Sequence, residues 1–164
     1  SDESTTHHST IRSRYQSMDA ERHAAFARLV ERIDPAARLI DARRLTGGVS
    51  AEITLLVVED VSRTRSRWVV RRHGPVDLAS DPQIAHNEYQ LLRVLARQRI
   101  KAPTPIAVDD SCDLFPTPVI VVEFVAGEPM FEATDVTRPN VTRQVADELR
   151  RIHETVAADD VPFL

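Results

Sequence analysis

The sequence predicts an α+β fold: five strand-like runs, with one helix before them, one between the third and fourth, and another after them. Strand-like runs bounded by turn residues occur at Arg38 to Leu45, Glu52 to Val58, Arg67 to Arg72, Ile106 to Val108 and Val119 to Val125. Apolar residues at three- and four-residue spacing mark helices around Phe26, Leu91 and Val145. The elements follow as helix, three strands, helix, two strands, connector and helix, with no internal repeat.

Ser1 to about Gln16 is polar, rich in Ser, Thr and His, and is expected to be disordered. His7 and His8 lie in that tail, where a histidine pair is ordinarily unliganded. The first helix is expected from Ser17 to Ile33. Ser17 suits its cap, Asp19 and Glu21 its first turn, and Phe26, Leu29, Val30 and Ile33 form its apolar stripe. Asp34-Pro35 stops it. The first two strands are joined by Thr46-Gly47-Gly48-Val49-Ser50, a short turn suited to an antiparallel hairpin. Asp60 to Arg65 is a polar turn into the third strand.

A second helix is expected from Asp81, as cap, with Pro82 in the first position, to about Arg99. Pro103 and Pro105 bracket an extended entry into the fourth strand, and Asp109 to Pro116 is a turn. Val119 to Val125 is apolar except for Glu123, in the manner of a central strand. Ala126-Gly127-Glu128-Pro129 breaks it. A last helix is expected from about Thr137 to Val156, with Val141, Val145, Leu149 and Ile152 as its stripe.

Composition narrows the partners. Net charge is −4 with acidic and basic residues interleaved, which argues against nucleic acid or an anionic membrane surface. The polar N-terminus has no signal-peptide core, and no apolar run approaches the roughly 20 residues of a membrane span. The single cysteine, Cys112, excludes an internal disulfide and favours a cytoplasmic setting. Lys101 is the only lysine, so any role usually given to a buried lysine falls to arginine.

Glu88 is the residue that points to chemistry. It shares a helix face with Ile84, Leu91, Leu92 and Leu95, and a carboxylate there is costly unless a cation or strong donors meet it. Arg71 and Arg72 are the nearby candidates. Strand alternation puts Val69 and Arg71 on one face, and Trp68, Val70 and Arg72 on the other. The bland alternatives are a Glu at a helix edge and two arginines solvated at a strand end.

Together, five segments resemble the N-terminal lobe of the aminoglycoside phosphotransferase family, which shares the protein kinase-like fold; the resemblance implies one twisted antiparallel five-stranded sheet with one packed helix. The segments are Leu45-Thr46-Gly47-Gly48-Val49-Ser50, Arg67-Trp68-Val69-Val70-Arg71-Arg72, Asn87-Glu88-Tyr89-Gln90-Leu91-Leu92, Ile100-Lys101-Ala102-Pro103-Thr104-Pro105 and Val119 to Gly127. The resemblance covers about Leu39 to Gly127, with a weaker match through Leu149-Arg150-Arg151-Ile152-His153. It implies a nucleotide-binding lobe with its leading helix over 17–125. A hinge connector and the start of a truncated second lobe would occupy 126–164. It also implies that Gly47, Gly48, Val49 and Ser50 cover the phosphates of ATP, and that Arg71 holds the alpha and beta phosphates while paired to Glu88. Arg72 is the runner-up. Backbone groups of the hinge, at Glu123, Phe124 and Val125, would meet the adenine edge, and Val69 and Ile120 would sandwich the ring.

Phosphoryl transfer to a small-molecule hydroxyl also needs a carboxylate at the acceptor and oxygen ligands for Mg2+. Relatives supply these from a His-Gly-Asp segment with a downstream Asn and a second Asp; this sequence has no His-Gly-Asp. No catalytic residue and no metal ligand is therefore assigned, and the chain is expected to be an inactive fragment of a larger kinase. The alternatives are a non-catalytic, pseudokinase-like nucleotide-binding module and an α+β interaction domain with no nucleotide site. His153 is expected to pack or cap, and Asp159-Asp160 to be solvated.

Overall fold

The computed structural model describes residues 15–17, 20–45, 51–127, 138–156 and 160–163. Its elements run β1 (Tyr15–Ser17), α1 (Ala20–Ile33), β2 (Arg38–Leu45), β3 (Ala51–Glu59), β4 (Arg65–His73) and α2 (Pro75–Ser80). They continue with α3 (Ile84–Arg97), β5 (Pro105–Asp109), β6 (Val119–Glu123) and α4 (Arg138–Thr155). The strands make a single antiparallel sheet in the order β1-β2-β3-β4-β6-β5. The five expected strands all form, and a sixth, β1, joins the outer edge.

Three expectations change. Tyr15–Ser17 was assigned to the disordered tail and the start of the first helix; instead it pairs with Arg43 to Leu45 as β1. That strand gives partners to backbone groups on the open edge of β2, and the helix starts only at Ala20. Second, an unanticipated helix, α2, follows β4. Gly74 is its N-cap, Pro75 opens it with φ already set, and Asp77 lies in its first turn. Six residues are too few for a periodic stripe to show. Third, α3 begins at Ile84 rather than Asp81. Asp81 is spent on the preceding turn: its Oδ1 accepts from the Gln83 amide at 2.9 Å and its Oδ2 from the Asn87 side chain at 3.0 Å.

The far end of α3 also closes without a glycine. The Ile100 amide donates to Leu95 O at 2.9 Å and the Arg99 amide to Ala96 O at 3.1 Å, the paired bonds of a Schellman ending. Arg99 takes the left-handed conformation, φ 56°, that glycine usually supplies there.

The core lies between α1 and one face of the sheet. Phe26, Leu29 and Val30 of α1 pack on Ala42, Leu56, Val58, Val70, Val119 and Val121, with Phe115 closing the end. The Phe26 and Phe115 rings are 4.9 Å apart in a tilted pair. Arg32 Nη1 ties the last turn of α1 to the far edge of the sheet, donating to Asp109 Oδ2 at 2.9 Å and Ser111 Oγ at 3.0 Å. The opposite face carries Leu55 and the fully buried Ile120. Against it lies α3, in contact with β4, β5 and β6 and buried most deeply at Ala85 and Leu92.

The β3–β4 hairpin is held by two carboxylates. Asp60 Oδ1 accepts from the Ser62 amide at 2.8 Å, the Ser62 hydroxyl at 2.7 Å and the Thr64 amide at 3.0 Å. Buried Glu59 accepts from Arg38 Nε at 3.1 Å and Arg65 Nε at 3.0 Å. Hydrogen bonds from Arg38 and then Arg65 hold the Glu59 carboxyl below its usual range, and the Ser62 hydroxyl does most to lower that of Asp60.

Two outcomes follow. Phe26→Ala should cost about 3–5 kcal/mol in a denaturant titration, since a fully buried ring leaves a cavity between helix and sheet. Because the folded-state values of Glu59 and Asp60 are depressed, their stabilisation is complete above the ordinary carboxylate range. It is lost as pH falls through the lowered values. Melting temperature followed against pH should therefore drop on the acid side, and the drop should be shallower in a Glu59→Gln, Asp60→Asn double variant.

Candidate functional site

Alternation along β4 sorts its residues as the sequence predicted, and this decides between the two arginines. Arg72 points to the α1 side, where its Nη2 meets Glu52 Oε2 at 3.0 Å and its guanidinium sits 5.7 Å from the Phe115 ring. Arg22 of α1 reaches the same Glu52 at 3.3 Å. Arg71 points the other way. Its Nη1 donates to Glu88 Oε1 on α3 at 2.9 Å.

The pair is half-buried: the Glu88 side chain is 24% exposed and that of Arg71 40%. Glu88 is thus less enclosed than a core-facing stripe implied. Arg71 Nε is shielded from solvent and has no hydrogen-bond partner. A carboxylate that is neither open to water nor fully buried keeps a real cost of desolvation, which a guanidinium contact at this distance offsets.

Sequence reasoning missed a third member. His73 Nε2 lies 2.9 Å from Glu88 Oε2, and its side chain is only 4% exposed. His73 follows Arg71 by two on the same strand, so both project from one face toward α3. The same alternation that selected Arg71 also points to His73; the expected strand ended one residue too early, at Arg72. An ionised carboxylate only accepts, so Nε2 carries the ring proton in this contact. Asp77 Oδ2 of α2 stands 3.9 Å from the other ring nitrogen, Nδ1.

Val69 sits on the Arg71 face as expected, partly buried, with Leu55 and Val122 as its cross-strand partners. Ile120 is opposite Arg71 and has no exposed surface, so Val122 and Leu55 are better placed than Ile120 beside Val69. At the end of β6 the Glu123 amide donates to Thr104 O at 2.8 Å and the Phe124 amide to Arg67 O at 3.0 Å. The Phe124 ring carries the Arg67 guanidinium 4.2 Å from its centroid. Both the amide and the ring of Phe124 are therefore engaged away from Arg71, whereas Val125 is exposed. A cavity of about 400 Å3 beside this segment is lined by Arg67, Trp68, Thr104, Ile106, Glu123 and Phe124, and does not include Arg71 or Glu88.

Gly47, Gly48, Val49 and Ser50 lie outside the described residues, as does Asp159. On α4, Val145 and Leu149 are exposed, and so is His153, which was expected to pack or cap. Arg151 Nη2 donates to the Arg99 carbonyl at 3.0 Å, joining α4 to the end of α3. Among the described residues, no group of three or more His, Cys, Asp or Glu side chains is placed to hold a metal ion, and no helix is long and apolar enough to cross a membrane.

No curated protein matches the chain. Among solved structures it is similar to a protein of Ralstonia eutropha JMP134 provisionally assigned as an aminoglycoside phosphotransferase. Identity is 18% and the TM-score 0.47, and the match covers 64% of this chain but 28% of that one. The chain thus spans less than a third of that protein's length. The model of the APH family, described as the phosphotransferase enzyme family, matches residues 41–164. That match takes in most of the chain, including β3, β4, α3 and β6, so the chain belongs to the phosphotransferase enzyme family and carries its kinase-like N-terminal lobe.

Proposed function

We propose that this chain is the ATP-binding part of a small-molecule kinase, which moves the gamma-phosphoryl group of ATP to a substrate hydroxyl. The observation that carries the reading is the 2.9 Å contact between Arg71 Nη1 and Glu88 Oε1, on the face shared with Val69 and next to the strand that leads into the hinge. A guanidinium committed to a carboxylate through one nitrogen keeps further N–H donors for an anion, and only Nη1 of Arg71 is engaged by Glu88.

In this reading Arg71 holds the alpha and beta phosphates and Glu88 keeps the guanidinium in place. Gly47, Gly48, Val49 and Ser50 cover the phosphates with backbone amides. Val69, with Leu55 and Val122, forms the apolar surface against the adenine ring. The Glu123 carbonyl and Val125 amide take the adenine edge, and Phe124 steadies that segment through Arg67. Mg2+ would supply charge neutralisation at the phosphates when bound; its ligands belong to the part of the family's fold that follows α4. The unpaired Cys112 and the need for ATP suit the cytoplasm.

Isothermal titration of Mg-ATP into the chain tests this reading. Arg71→Ala should weaken binding about 10- to 100-fold, the worth of hydrogen bonds to a charged partner. Glu88→Ala should weaken it by about tenfold, because Arg71 loses its fixed orientation. Unchanged affinity in variants that still melt cooperatively would refute the assignment.

A further inference from the structure

Glu88 has two carboxylate oxygens, and Arg71 occupies only one of them. We infer that His73 is a positioning residue of the nucleotide site, locking the second oxygen so that the first stays aimed at Arg71. This rests on the phosphotransferase reading above and extends it to a residue of β4 that does not itself touch the nucleotide.

A glutamate has three side-chain torsions, and a single hydrogen bond to a half-exposed arginine fixes few of them. His73 differs from Arg71 in this respect. It has two torsions, is almost wholly enclosed, and issues from the last residue of β4, paired on one side with Ala51 of β3. Its Nε2–H reaches Glu88 Oε2 at 2.9 Å, so the carboxylate is gripped from two points on one rigid strand.

The charged and titratable groups facing the imidazole are Glu88 from α3, Asp77 from α2 at 3.9 Å and, through Glu88, Arg71 from its own strand. The Asp77 separation is beyond hydrogen-bond range, so Glu88 is the partner that His73 orients. Arg71, held through Nη1 alone, then presents its remaining donors in one direction. Preorganisation of this kind lowers the ordering cost of binding.

The test combines a conservative variant with a double-mutant cycle, read as Mg-ATP affinity by calorimetry. Glutamine places a side-chain N–H at nearly the reach of Nε2, whereas leucine offers no donor. His73→Leu should weaken affinity about five- to tenfold, part of the effect of losing a bond to a charged group. His73→Gln should stay within about twofold of the unmodified chain. In a Glu88→Ala background His73→Leu should add nothing, because the group it orients is gone.

Equal losses for leucine and glutamine would overturn the inference, as would a leucine effect that persists without Glu88; either assigns His73 to packing alone. Should His73→Leu fail to fold, a long-range 15N–1H spectrum of the unmodified chain decides. A ring proton on Nε2 is expected, and one on Nδ1 alone overturns the contact. Mg-ATP binding that is insensitive to His73 sinks this inference only. No binding by the unmodified chain sinks the reading beneath it as well.

Discussion

A strand sends successive side chains to opposite faces, and β4 must satisfy two different environments with that one rule. On one face it places Trp68, Val70 and Arg72 against α1, where Val70 is buried in the main core and Arg72 joins Glu52 at its margin. On the other it places Val69 beside Val122 of β6, and Arg71 and His73 against Glu88 of α3. A slip of one residue in the pairing would turn Arg65, Arg67 and Arg71 to the core face and Val70 outward. The nine-residue register with β3 and the five-residue register with β6 prevent it. Packing on one side of the sheet thus fixes electrostatics on the other.

The same economy of charge recurs across the molecule. Carboxylates at the edges of the core are each met by arginine: Glu52 by Arg22 and Arg72, Glu59 by Arg38 and Arg65, Glu88 by Arg71, and Asp109 by Arg32. Arginine suits this work because its planar fork reaches one partner while its stem and remaining nitrogens serve another. Arg32 shows it directly, with Nη1 on Asp109 and Ser111 and Nη2 3.6 Å from Asp113 Oδ2. With Lys101 the only lysine, the cation at Glu88 and those at the other carboxylates are the same residue type, and strand parity sends Arg71 to Glu88 and Arg72 to Glu52.

Much of the fold was legible because it rests on periodicity. The strands and α1 carry their patterns over enough residues for alternation or a helical stripe to emerge; facing arguments singled out Glu88 but left Arg71 and Arg72 both open, and the choice of Arg71 came from the family resemblance. What escaped lies at boundaries. Three residues of β1 have no pattern of their own and exist because β2 has an open edge. The start of α3 moved because Asp81 bonds locally to Gln83 and Asn87, and its end carries arginine where glycine would have signalled it. His73 was missed for a related reason, lying just beyond the expected strand. Arg72 and Arg71 are chemically identical, and only the observed partners, Glu52 and Glu88, separate them in fact as well as in principle.

The ladder between β4 and β6 does not stop where the strand does. With the Glu123 amide on Thr104 and the Phe124 amide on Arg67, two successive peptide units past the core are already anchored to the sheet. The first torsions past this pairing are those of Val125, and at Gly127 an added Cβ would meet nothing within 4 Å among the described residues. Arg67 thus grips the segment twice, through its carbonyl on the Phe124 amide and its guanidinium on the Phe124 ring, so the backbone stays registered to the sheet one residue past β6.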